Sequence, residues 1–164
     1  MDKWNNKATY QKINRIVDII GIALIISLVV ITLVAWKNAP DIVPTHYNFS
    51  GEVDGYGSKN TMLILLPIVV IVYIPMAVLS KYPEVYNYCV DINPINKEKQ
   101  YLMASTFIRI INVETVAMFF YVQLKMVMGM SSGSKNLSMA FLPISLIIIF
   151  GTIGIYIRKS IKNK

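Results

Sequence analysis

Four runs of apolar residues decide what this chain can fold into. Residues 16–36, 62–79, 101–126 and 137–157 are each close to the ~17–25 residues that a helix needs to cross a hydrocarbon core about 30 Å thick. Inside lipid every backbone N–H and C=O must be satisfied within the spanning structure, so runs this long and this apolar predict helices. Composition agrees: 55% of the residues are hydrophobic and 15% charged, against about 25% charged in an ordinary globular domain. The expected architecture is a single all-α integral membrane domain over residues 1–164. Four transmembrane helices are joined by short connections and by one longer polar loop at 37–60.

A cleaved leader does not fit the first run. From Ile19 to Ala35 it is apolar throughout, and it closes on Trp36 and Lys37, an interfacial aromatic followed by a cation, with no small-residue cleavage site. It is expected to stay as the first helix. The net charge of +7 would suit nucleic acid, yet the cations are placed by topology. Eleven of them (Lys3, Lys7, Lys12, Arg15, Lys81, Lys97, Lys99, Arg158, Lys159, Lys162, Lys164) fall on one side of the expected bundle; Lys37, Lys59, Lys125 and Lys135 fall on the other. The positive-inside rule then puts both termini in the cytoplasm and turns the loop at 37–60 outward. Nucleic acid is excluded as a partner, and the bilayer is the first one. Cys89, the only cysteine, falls in the inner connection, where thiols stay reduced, and reads as a small apolar residue near the headgroups.

The outward loop, from Pro40 to Lys59, carries the chemistry that the helices lack. It holds the only histidine, His46, with Asp41, Glu52 and Asp54. Pro40 and Pro44 favour extended backbone, and Val43, Thr45, Tyr47 and Phe49 alternate with Pro44, His46 and Asn48, which predicts a two-faced strand. Ser50-Gly51 and Asp54-Gly55 are turn dipeptides, so the loop should double back once or twice as a small β-hairpin and bring His46 towards Glu52 or Asp54. Three uses stay open for that cluster: a self-satisfying structural loop, recognition of a ligand or partner, or metal binding and acid–base work. A nearby carboxylate fixes a histidine's tautomer, and His46 and Asp54 are the candidate metal ligands. A spacing of eight residues is no established metal pattern.

These residues carry a resemblance. Pro44, His46, Tyr47, Asn48, Gly51, Asp54, Gly57, Ser58 and Lys59, set between two hydrophobic helices, are similar to the signature of domain-of-unknown-function family 1648. That family forms the N-terminal module of SdpI-like immunity membrane proteins, and this chain looks like a short, four-helix member. The likeness covers about the first 80 residues. It implies a bacterial cytoplasmic-membrane protein and, from the best-known relatives, immunity to a secreted peptide toxin coupled to holding a repressor at the membrane. The loop residues above, with Glu52, then form the expected binding site.

The third apolar run contains Arg109, Asn112 and Glu114. A charged residue at mid-helix costs about 2.5–3.5 kcal/mol on insertion scales, against ~0.3–0.6 kcal/mol gained for each Leu, Ile, Val or Phe, so each needs a reason. Arg109 lies near enough to the inner edge to snorkel; Glu114 must be neutral, paired or wetted. A structural Arg109–Glu114 pair is the preferred expectation, although five residues set them about 140° apart around the helix. A partner on another helix, or a proton, ion or ligand role, remains open. Asp18, three residues after Arg15, reads as a solvated helix end or a local ion pair.

The remaining features are expected to be structural. Pro67 and Pro75 should kink the second helix. Met126, Met128 and Met130 read as adaptable packing, Gly129 and Gly133 as an edge-of-membrane pair, and Gly151 and Gly154 as a site of close helix packing. Asn93-Pro94 should open the third helix. No phosphate loop, dinucleotide fingerprint or metalloprotease motif is present, and no cofactor is expected. The preferred reading is a non-enzymatic module recognising a peptide, a lipid headgroup or another membrane protein through its loop. The alternatives are a small membrane enzyme using His46 and a loop carboxylate, and a transporter or accessory subunit using Glu114.

Overall fold

The computed structural model describes residues 7–132 and 137–164. In chain order it has α1 (Lys7–Asn38), a hairpin of β1 (Ile42–Tyr47) and β2 (Val53–Ser58), α2 (Thr61–Leu79), α3 (Lys97–Ser132) and α4 (Phe141–Lys162). All four helices are long and apolar enough to cross a membrane. The chain is accordingly a multi-pass membrane protein, with a small antiparallel sheet between its first two helices.

Two helices outrun their apolar blocks. The expected spans of 16–36 and 101–126 become helices of 32 and 36 residues, about 48 and 54 Å long at 1.5 Å per residue. An apolar window measures the depth of lipid, whereas a helix goes on through Lys, Gln and Asn, which cost it little once water is reached. Residues 7–15, ahead of the expected span, are therefore helical from Lys7, and Lys7 reaches Glu98 at the start of α3 (3.2 Å). The fourth run is displaced instead, from 137–157 to Phe141–Lys162. α2 keeps its expected place and runs through both Pro67 and Pro75.

Asn93 acts as expected in kind, but earlier than α3 itself. Its Oδ1 accepts the N–H groups of Ile95 (2.9 Å) and Asn96 (3.0 Å), capping a turn from which the helix starts at Lys97. Cys89 is exposed rather than buried among apolar groups, with its Sγ 3.5 Å from the Ser160 hydroxyl. Gly133 lies outside the described residues.

The core belongs to three helices. Leu28, Val69 and Val116, from α1, α2 and α3, are buried together and surrounded by Leu24, Leu65, Tyr73, Phe119 and Phe120. In lipid such contacts are held by close van der Waals packing and interhelical hydrogen bonds, because hydrocarbon solvates an exposed Leu as well as a core does. Met126 and Met130 pack at the hairpin end of the bundle, as adaptable fillers.

α4 lies outside this core, against α3. Tyr121 stacks on Phe141 (4.7 Å between ring centroids) and Phe107 on Tyr156 (4.4 Å). At the far end the fully buried Gln100 donates to the carbonyls of Ser160 (2.9 Å) and Asn163 (3.0 Å), while the Ser160 hydroxyl donates back (2.8 Å). Gly151 and Gly154 do not mediate close packing. A Cβ at either would meet nothing within 4 Å, because both glycines sit away from α3.

Candidate functional site

The hairpin is built from its turn outward. The Asn48 carbonyl accepts the Gly51 N–H (2.9 Å), and Asn48 Oδ1 accepts the Glu52 N–H (2.9 Å) while its amide donates to the Glu52 carboxylate (3.2 Å). Gly51 closes the turn at φ 80°, in the region that favours glycine. At the other end Lys59 binds Asp41 twice, through its backbone N–H to the carbonyl (2.9 Å) and its ammonium to the carboxylate (3.2 Å). Ser58 joins the hairpin to α2: its hydroxyl accepts the Asn60 N–H (3.3 Å) and its carbonyl the Thr61 hydroxyl (2.7 Å). The loop thus doubles back once. Asp54-Gly55 is not a turn but the interior of β2.

A bulge corrects the simple alternation expected for β1. The register shifts on both sides of His46, so Val43 and Pro44 are both buried and Thr45 and His46 both exposed. Pro44 has no N–H for the ladder, which is why strand pairing tolerates it only at an edge or a bulge. The extra residue turns His46 towards β2, opposite Gly55, where a Cβ would stand 2.9 Å from that of His46. Gly57 opposite Val43 leaves comparable room for Thr45, 3.0 Å from a Cβ built there. These glycines make space; neither makes a turn.

The bulge brings His46 to Asp54 and leaves Glu52 with Asn48. The imidazole Nδ1 and Asp54 Oδ1 are 2.5 Å apart on the open surface, with the His46 side chain 71% exposed. Asp54 orients the ring and leaves Nε2 available to a ligand. Two donors fall short of the three or four protein ligands of a zinc site. Among the described residues no group of three or more His, Cys, Asp or Glu side chains could hold a metal.

The hairpin's underside is anchored. Val43 and Met62 are fully buried with Met126, so the sheet sits on the ends of α1, α2 and α3. Trp36 donates its indole N–H to Asn60 (2.9 Å), tying the two helix ends beside it. The turn also holds the connection between α3 and α4, since the Leu137 N–H donates to the Gly51 carbonyl (2.7 Å). Tyr47, Asn48, Phe49 and Gly51 together with Leu137, Ser138, Met139 and Phe141 line a cleft of about 310 Å³ there. The Tyr47 hydroxyl is buried without a partner, and burial, with Tyr56 nearby, raises its pKa above the ordinary tyrosine value. At the lip, Phe49 is 85% exposed and Met139 is exposed too.

The intramembrane polar residues part company. Arg109 pairs with Asp18 of α1, not with Glu114. The Arg109 side chain is 14% exposed and that of Asp18 41%, so this is a part-buried ion pair between helices. Asp18 is accordingly neither a solvated end nor a partner of Arg15, and Asn14 accepts the Thr106 hydroxyl one turn away (2.6 Å). Asn112 is buried and donates to the Tyr73 carbonyl of α2 (3.0 Å). Glu114, turned the other way on α3, accepts the Thr152 hydroxyl of α4 (2.6 Å) through Oε1, and its Oε2 is buried without a partner. The 140° between positions 109 and 114 prevailed over their proximity in sequence.

Sequence reasoning missed Asp18 as Arg109's partner and Thr152 altogether, because both contacts join helices far apart in sequence. The one available signal was the helical phase of Glu114, which points it away from Arg109. No curated protein and no solved structure matches the chain. Residues 23–71 match the model of a domain of unknown function, DUF1648. The matched stretch runs from within α1 across the whole hairpin and into α2.

Proposed function

We propose that this protein is an SdpI-like immunity module of a bacterial cytoplasmic membrane: one integral domain with both termini in the cytoplasm, whose hairpin recognises a secreted amphipathic peptide at the outer surface. The observation that carries this reading is the hairpin's combination of a fixed base and an open top. A loop serving only to join two helices has no need of a bulge, two space-making glycines and a buried Val43 to hold a histidine–carboxylate pair in the open. The same hairpin also exposes Phe49, Ile42 and Tyr56. Aromatic anchors flanked by a few oriented polar groups are the ordinary means of holding a peptide.

The test is survival. Cells expressing the protein are challenged with membrane-active secreted peptides, and the wild type is expected to protect against at least one. His46→Ala and Asp54→Ala should each abolish that protection while protein level and Tm change little, since surface substitutions usually stay within about 0.5 kcal/mol. Variants that accumulate and still protect would refute the reading. Variants that fail to accumulate would make the pair a structural clasp.

A further inference from the structure

The groove between α3 and α4 holds a second site. Below the hairpin cleft, and sharing Ser138 and Phe141 with it, lies a cavity of about 360 Å³ lined by Glu114, Met118, Tyr121, Ile144, Ser145 and Ile148, among others. That volume falls within the ~300–1,000 Å³ of small-molecule sites. Its walls are almost wholly apolar, and its floor carries one acidic group. Glu114 lies 17 residues into α3, about 26 Å along a helix of roughly 54 Å, so it is far from either end.

An acidic side chain at that depth must be neutral, paired or wetted, and Glu114 has half of a partner. Thr152 donates to Oε1, whereas Oε2 has none. No ion pair of Glu114 occurs among the described residues, and Arg109, the charge nearest along α3, is committed to Asp18. The terminal torsion of Glu is broad, so a small rotation presents either oxygen to the cavity. Buried acidic groups inside membranes are functional sites by default because their cost must be repaid.

We propose that this cavity binds a lipophilic monocation, whose apolar body fills the space between α3 and α4 and whose charge is met by Glu114. Shape alone would admit any hydrophobic molecule; the single unmatched carboxylate selects the positive one. Since the groove is formed by α4, which stands outside the three-helix core, a guest can enter without disturbing Leu28, Val69 and Val116. The inference goes beyond the hairpin reading and does not depend on it.

Tetraphenylphosphonium and tetraphenylborate share a shape and differ in the sign of charge, which makes them the probes. Binding is measured by equilibrium dialysis on the full chain in phosphatidylcholine nanodiscs, with empty nanodiscs subtracted. The cation is expected to bind and the anion not; Glu114→Gln should weaken the cation by about tenfold or more, the scale of one lost partly buried charge contact. Ala117→Leu, which puts bulk into the cavity, should block the cation with Glu114 intact, and His46→Ala should leave binding unchanged. Equal binding of both ions, or unchanged affinity in Glu114→Gln, overturns the proposal. If Glu114→Gln does not accumulate, Ala117→Leu decides alone: retained binding there means that the cavity is not the site.

Discussion

Replacing Asp18 with alanine should destabilise the protein by about 3–5 kcal/mol, the usual penalty for leaving a buried charge without its partner. The charge left behind is Arg109, whose side chain is 14% exposed and whose Nε already lacks an acceptor. Arg109→Leu should cost less, because Asp18, at 41%, has more room to reach water or headgroups. Replacing both by leucine should recover most of the loss, since apolar substitutes for an ion pair are often neutral. Unfolding in lipid across the four proteins would give a coupling energy well above 0.5 kcal/mol. The corresponding cycle between Arg109 and Glu114 should be additive. Coupling there, and none with Asp18, would restore the pairing suggested by sequence proximity.

Gly51→Val should release the connection between α3 and α4 from the hairpin. A β-branched residue at φ 80° is strained by about 1–2 kcal/mol, and its Cβ would collide with the Leu137 carbonyl. Relieving that collision breaks the Leu137 N–H to Gly51 carbonyl bond, worth about another 1 kcal/mol. Loss of about 2–3 kcal/mol is expected, concentrated at this end of the bundle. Hydrogen exchange reads it directly: the Leu137 amide should lose protection while amides around Val116 keep theirs. Uniform loss of protection would mean that the turn supports the whole fold; no loss would mean that its contact with Leu137 is dispensable.

The fold was largely legible because its strongest determinants are local. Twenty apolar residues in a row can do little but span, and Ser50-Gly51 could be read as a turn from the residues themselves. The hairpin and the approach of His46 to Asp54 followed from the same local chemistry. What stayed hidden is long-range or depends on a single added residue. The bulge at His46 slips the two faces of β1 by one position, and no pattern of six residues announces that. Gly151 and Gly154 show the limit from the other side: small residues permit a close approach but cannot tell whether a neighbour takes it. Helix ends were misjudged where the sequence turns polar, because leaving lipid does not require leaving the helix.

Everything assigned to the hairpin depends on its facing away from the cytoplasm, and thiol labelling tests that directly. Ser50, at the exposed tip of the turn, and Cys89, exposed in the connection between α2 and α3, stand at opposite ends of the bundle. In intact cells a membrane-impermeant maleimide should modify Ser50→Cys and leave Cys89 untouched until the cells are lysed. Labelling of native Cys89 in intact cells, with Ser50→Cys protected, would turn the molecule over and contradict the account.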